Sequence, residues 1–180
     1  LYQKLLRNNM TNLMIAPYES YLSQELRAIL KEYLQFTANE IKEAPWNFAV
    51  DIEHELAFTF DNLQQFKPPK GKILVATIDS KLVGTASIKM IRENVAELKR
   101  MYVVPEFQGK KIGQALLEEL FTTAINFGAI DMFLESPPPF KPAHKLYKKN
   151  GFELFHEYPE VSIPTQLRHN WVYMRKTLKI

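Results

Sequence analysis

Glu97-Leu-Lys-Arg-Met-Tyr-Val-Val-Pro-Glu-Phe-Gln-Gly-Lys-Lys-Ile-Gly-Gln114 passes from strand spacing through a glycine loop to helix spacing. Its first part reads as a strand over Ala96 to Val104, stopped by Pro105, which has no donor to offer a ladder. A short loop containing Gly109 follows, and Ile112 then opens a helical row. Ile112, Leu116, Leu120 and Ala124 recur at helical spacing with Leu117, Phe121 and Ile125 beside them, and Gly128 suits the C-terminal cap. A strand that runs through a glycine loop directly into a long helix aims successive backbone N–H groups at one point, where the positive end of the helix dipole adds to them. Lys110 and Lys111 place cations there, so the reading is an anion site of phosphate or pyrophosphate size. The plainer reading is a strand-to-helix turn with solvated lysines. Neither Gly-x-x-x-x-Gly-Lys-Ser/Thr nor Gly-x-Gly-x-x-Gly occurs, which sets aside two other phosphate-binding motifs.

Working outward, the upstream half predicts a short strand at Asn12 to Pro17 and an amphipathic helix over Ser23 to Phe36. A break follows around Pro45-Trp46, and a second helix covers about Asp51 to Leu63. Phe66 to Gly71 cannot continue it because of Pro68 and Pro69. Lys72 to Ile78 and Leu82 to Ile91, joined by Asp79-Ser80-Lys81, read as a β-hairpin. Downstream, Ile130 to Ser136 is a strand, Pro137 to Pro139 an extended connection, and Pro142 the start of a short helix ending at Asn150-Gly151. Phe152 to His156 and Trp171 to Leu178 complete the strands. The expectation is one α/β (α+β) domain with a mixed, mostly antiparallel sheet flanked by helices. It covers residues 10–180, with Leu1 to Asn9 as an extension ahead of Met10.

The chain has 180 residues and a net charge of +3 from 23 Lys and Arg against 20 Asp and Glu, so no basic stripe marks a nucleic-acid partner. No apolar stretch approaches the ~18 residues of a membrane span, and the start lacks the apolar core of a signal peptide. There is no cysteine, which removes disulfides, thiolate metal sites and a thiol nucleophile together. A cytoplasmic protein with no membrane, nucleic-acid or metal partner is expected.

Three elements in order carry a family resemblance. Gln108-Gly109-Lys110-Lys111-Ile112-Gly113 resembles the Gln/Arg-x-x-Gly-x-Gly/Ala signature of the GNAT superfamily of acyl-CoA-dependent N-acyltransferases. Met101 to Glu106 is similar to that family's fourth strand and the turn after it, and Leu146-Tyr147-Lys148-Lys149-Asn150-Gly151-Phe152 to its Leu-Tyr-x-x-x-Gly-Phe element. One position departs: Lys111 stands where glycine is usual, which penalises a positive φ there.

The resemblance implies acetyl-CoA as co-substrate and direct transfer to a primary amine in a ternary complex. It implies that Gln108, Gly109, Lys110, Lys111, Gly113 and Gln114 cradle the pyrophosphate. It places the thioester and pantetheine along the main chain of Met101, Tyr102 and Val103, with the Met101 N–H on the carbonyl. Tyr147 would be the acid for the departing thiolate. Glu97 would be the base, direct or through water, sharing a face with Met101 and Val103 on an unbroken strand. The other reading of Glu97 is a surface residue pairing with Lys99 or Arg92.

Asp51, Glu53, His54 and Glu55 lack metal-ligand spacing and read as a solvated helix face, while His144, His156 and His169 read as structural or exposed. Recognition of the amine acceptor is expected from Phe36 to Phe48 and Tyr158 to Asn170, whose aromatics equally suit a homodimer edge. The rival functions are a non-catalytic acyl-CoA-binding module and a transferase of longer acyl groups.

Overall fold

The computed structural model describes residues 12–43 and 45–178, so the proposed extension at Leu1 to Asn9 lies outside the described residues. In chain order the elements are β1 (Leu13–Pro17), α1 (Ser23–Ile41), α2 (Ile52–Asp61), β2 (Gly71–Ile78), β3 (Lys81–Arg92) and β4 (Val95–Val103). They continue with α3 (Ile112–Asn126), β5 (Asp131–Ser136), α4 (Lys141–Lys149), β6 (Glu153–Phe155), α5 (Thr165–Arg168) and β7 (Val172–Thr177). The seven strands form one sheet in the order β1-β2-β3-β4-β5-β7-β6. Every pairing is antiparallel except β4 with β5. No described helix is long and apolar enough to cross a membrane.

Strand alternation assigns the faces. On β2, Leu74 and Ala76 meet α3, whose Ile112, Leu116, Leu117 and Leu120 are buried in the main core with Leu134 of β5 and Tyr147 of α4. Ile73, one residue before Leu74, joins Leu26 and Leu30 of α1, Leu56 of α2 and Phe66 on the other face. α1 runs five residues past the predicted end at Phe36 because no breaker intervenes before Pro45 and Ile41 has a buried place to go. The hairpin turn is tighter than expected: Ile78 pairs Lys81, and Asp79 and Ser80 both take positive φ, as a two-residue primed turn requires. α5 was not predicted, since four residues are too short to show a period.

The largest departure lies in β4. Thr85 faces Tyr102 and Ser87 faces Lys99, two steps on β3 against three on β4. The extra residue makes a β-bulge with Arg100 at φ +50°. The expected unbroken strand, with Glu97, Met101 and Val103 on one face, is therefore corrected: Val103 faces Gly84 on the α3 side, opposite to Glu97 and Lys99. Pairing with β5 covers only Val95 to Leu98, so beyond Leu98 the two parallel strands part.

Leu116, fully buried between α3 and the sheet, tests this packing. Leu116→Ala should cost about 2–5 kcal/mol of stability. Urea unfolding should show this as a lower midpoint at unchanged slope.

Candidate active site

The loop between β4 and α3 forms a cup with the geometry to accept an anion. Pro105 to Phe107 forms a single helical turn, closed by the Gln108 N–H on the Pro105 carbonyl at 3.1 Å. Gly109 then takes φ +75° and Lys111 φ +63°, so the chain reverses before entering the helix. Nothing lies within 4 Å of the point where a side chain would begin at Gly109. Among the described residues, no backbone N–H from Gly109 to Gln114 finds an acceptor, and the helical ladder starts with Ala115 N–H on the Lys111 carbonyl at 3.1 Å. Lys111 therefore pays the left-handed penalty that glycine would escape.

Lys81 and Lys110 both approach the Phe107 ring, at 5.6 and 4.6 Å from its centroid, and neither they nor Lys111 contact a carboxylate among the described residues. Donors, dipole and uncompensated cations together fit a polyphosphate.

Two expected contributors have side chains committed elsewhere. Gln114 exchanges hydrogen bonds with Asn150 at 2.8 and 2.9 Å, clipping α3 to the end of α4. Gln108 Nε2 donates to the Val103 carbonyl at 2.9 Å, bracing the loop against β4. Only their main chains face the cup. Gly113 is a packing position: a Cβ there would crowd Leu146 and Met101 at 3.3 and 3.4 Å. Tyr102 likewise turns away, its hydroxyl donating to Glu32 at 2.9 Å and its ring meeting Tyr33 of α1. What β4 presents past Leu98 is an edge of main chain that β5 leaves unpaired.

Beyond that edge lies a cavity of about 320 Å³ between α1, α4, the start of α2 and the segment before β7. Both segments expected to recognise the acceptor contribute, Phe48 from one and Ser162, Ile163 and Leu167 from the other. Tyr147 lines it at 5% exposure. Its ring rests on Phe152, and its hydroxyl makes no hydrogen bond among the described residues. Burial pushes this phenol well above its usual value, and Tyr33 and Glu135 add to the shift, so it keeps its proton at every working pH.

Glu97 is not in the lining. It is fully buried under Tyr158, whose hydroxyl donates to Oε1 at 2.7 Å, with Lys89 and Lys99 each 3.5 Å from one carboxylate oxygen. The surface alternative is thus corrected on exposure, and on one partner: Arg92 pairs with Glu160 instead.

The carboxylate that does line the cavity beside Lys99 is Glu135, at the end of β5. It accepts from Lys99 Nζ at 2.7 Å and from the Trp171 indole. Burial lowers the proton affinity of Lys99, but Glu135 and Glu97 together outweigh it and hold the ammonium above the usual lysine value. Sequence reading missed Glu135, although a carboxylate closing the apolar run Met132-Phe-Leu just ahead of three prolines was a visible signal.

The other polar groups make local contacts. Asp51 caps α2, accepting from the His54 N–H at 3.0 Å, and Glu53 pairs with Lys31 of α1. His144 is buried with Nε2 2.9 Å from Ser136 Oγ, and burial with Lys141 and Lys148 nearby keeps its imidazole neutral.

A sheet splayed after its one parallel pair, with an anion cup at the splay, defines a class of folds. The chain matches the model of the Acetyltransferase (GNAT) family over residues 25–152 and belongs to that family. It is 29% identical to an uncharacterised N-acetyltransferase of Schizosaccharomyces pombe over 84% of this chain and 85% of that one. A spermidine N(1)-acetyltransferase of Thermoplasma acidophilum is 37% identical over 45% of this chain and 50% of its own. Among solved structures, the PaiA N-acetyltransferase of T. acidophilum in complex with coenzyme A shares the fold. Its TM-score is 0.71 at 23% identity, covering 93% of this chain and 99% of that one. A GNAT-family acetyltransferase of Staphylococcus aureus gives 0.73 at 19% identity, covering 93% and 100%.

The left-handed N-cap yields a direct test. Lys111→Gly should raise stability by about 0.5–1 kcal/mol by relieving that backbone. A higher urea midpoint is expected, and an unchanged or lower one would contradict the conformation described for Lys111.

Proposed function

We propose that this protein transfers an acetyl group from acetyl-CoA to the primary amine of a small acceptor, by direct attack in a ternary complex. The observation that carries the reading is the run of free N–H groups from Gly109 to Gln114, which meets the unpaired β4 edge at one end of a cavity holding an unpartnered phenol. Residues Gly109 to Gln114 would hold the diphosphate through their main chain, with Lys81, Lys110 and Lys111 on the remaining phosphate charge. The edge of Met101 to Val103 would take the pantetheine amides as an added strand would. Acetyl-CoA supplies an electrophilic carbonyl and a thiolate leaving group.

The chain's own residues divide the remaining work. The Met101 N–H, just past the bulge, is the donor for the carbonyl oxygen as charge develops there. Glu135, in the lining, accepts the proton that the attacking amine must lose, since a free alkylamine is mostly ammonium at neutral pH. Glu97, sealed behind Lys99 and Tyr158, is left without direct access to the amine. Tyr147 holds a proton at Oη and passes it to the departing sulfur, whose own proton affinity rises in the same apolar surroundings. The cavity volume suits an acceptor of small-molecule size, as with the spermidine acetyltransferase among the relatives.

Acetyl-CoA should raise the melting temperature in a concentration-dependent way, equivalent to about 2.7 kcal/mol at a hundredfold excess over Kd. No shift at saturation would reject the reading. Steady-state rates on an amine panel test the chemistry. Tyr147→Phe and Glu135→Gln should each lower kcat by roughly 10²–10⁴ while leaving coenzyme A affinity within a few-fold. Wild-type rates in either variant would remove that residue's role.

A further inference from the structure

Behind the cavity wall lies a buried ionic chain that the transfer reaction does not account for. Glu97 has no exposure, one of its oxygens has no hydrogen-bond partner among the described residues, and the nearest cation to that oxygen is Lys89 at 3.5 Å. A buried ion pair is a poor source of stability compared with apolar packing. The chain is nevertheless continuous. Glu97 Oε1 lies 3.5 Å from Lys99 Nζ, and Lys99 Nζ donates to Glu135 Oε1 at 2.7 Å and to Ser162 Oγ at 3.1 Å. Register explains the arrangement: Glu97 and Lys99 lie on the same face of β4 immediately before the bulge, and Glu97 pairs Phe133, which shares a face of β5 with Glu135. One ammonium thus stands between a carboxylate in the cavity and a carboxylate sealed from it.

We propose that Lys99 is a positioning residue that orients Glu135 and keeps it charged as the amine's proton acceptor, and that Glu97 sets the strength of that hold by competing for the same ammonium. This rests on Glu135 being the base, as argued above. Other groups face Glu135 from every side: Arg100 on β4, Tyr33 on α1, Tyr147 on α4 and Tyr173 on β7, with Asp51 and Glu55 across the cavity. Of the charged ones, Lys99 alone touches it among the described residues. Trp171 donates to its second oxygen and fixes its plane.

The two ends of the chain then act in opposite directions. Without its cation, a carboxylate in an apolar wall favours the neutral form, an opposite charge at this distance being worth about 1–3 pH units. Without Glu97, the ammonium belongs to Glu135 alone and a neighbouring negative charge is gone. Glutamine at 97 retains an oxygen to accept from Tyr158.

The test is the pH dependence of kcat/KM for the acceptor, measured with two amines of different basicity, so that the acidic limb common to both belongs to the enzyme. Lys99→Met should move that limb up by about one unit or more, Lys99→Arg should return it close to wild type, and Glu97→Gln should move it down. Melting temperatures and near-ultraviolet circular dichroism verify folding. Where Lys99→Met does not fold, the downward shift of Glu97→Gln and the unshifted Lys99→Arg carry the test. Limbs that stay in place, or that move the same way in Lys99→Met and Glu97→Gln, overturn the proposal and mark the network as structural. A Glu135→Gln enzyme at the wild-type rate removes the base assignment and this inference with it. A slow Glu135→Gln enzyme with unmoved limbs in the other variants removes this inference alone.

Discussion

The architecture of the site depends on β4 losing its neighbour. For four residues, Val95 to Leu98, β4 is locked to β5 in the one parallel pairing of the sheet, and then the bulge at Arg100 bends it away. A bulge adds a residue to one strand and increases its local twist, so the two strands cannot run on together. The gap exposes a main-chain edge in the middle of a sheet, a place where backbone groups would ordinarily be paired. Because β4 continues through a single turn into α3, the unpaired edge and the free N–H groups at the helix start are consecutive in the chain. On the proposed reading, an extended molecule with a diphosphate at one end and amides along its length would meet complementary groups in the order in which the backbone presents them.

Stability and function are divided between the two faces. On the α3 side the contacts are almost wholly apolar, and Leu116, Leu117, Leu120, Leu134 and Met174 have no exposure. That face supplies the larger share of the hydrophobic free energy, to which the smaller α1 and α2 cluster on the other face adds. On the other side, between β4, β5 and the Tyr158-to-Ile163 segment, the sheet buries Glu97 and Lys99 and half-buries Glu135 under a lid of aromatic rings. Tyr158 packs against Phe133 and Tyr173 and donates its hydroxyl inward, so the same residue seals the network and satisfies part of it. Burying charge there costs stability unless every partner is in place. The same contacts orient a carboxylate at the cavity wall, Glu135, through Lys99 and Trp171.

Most of the fold was legible because its signals are periodic. The Ile112-to-Ala124 row, the hairpin around Asp79-Ser80 and the breaks at Pro105 and Pro137 each follow from local chemistry, and the loop from Gln108 to Gly113 stood out as a candidate by its position between strand and helix. What was not legible depends on register. The bulge at Arg100 leaves no mark in composition, since arginine is not a residue that favours positive φ, yet it reverses which side chains share a face beyond it. Reading β4 as unbroken put Glu97 with Met101 and Val103. The structure gives Glu97 to Tyr158 and leaves the cavity wall to Glu135, on a strand that is adjacent in space and distant in sequence. Lys111 shows the converse, a position whose departure from glycine was visible and whose backbone nevertheless takes the glycine-like conformation.

Amide hydrogen exchange with and without coenzyme A tests most directly whether the cup and the open edge form one binding surface. Saturating coenzyme A should slow exchange in two segments together, the N–H groups from Gly109 to Gln114 and those of β4 from Lys99 to Val103, while β1 and β2 stay unchanged. Protection confined to other segments, or exchange unaffected in both, would show that the cup and the edge are not one binding surface.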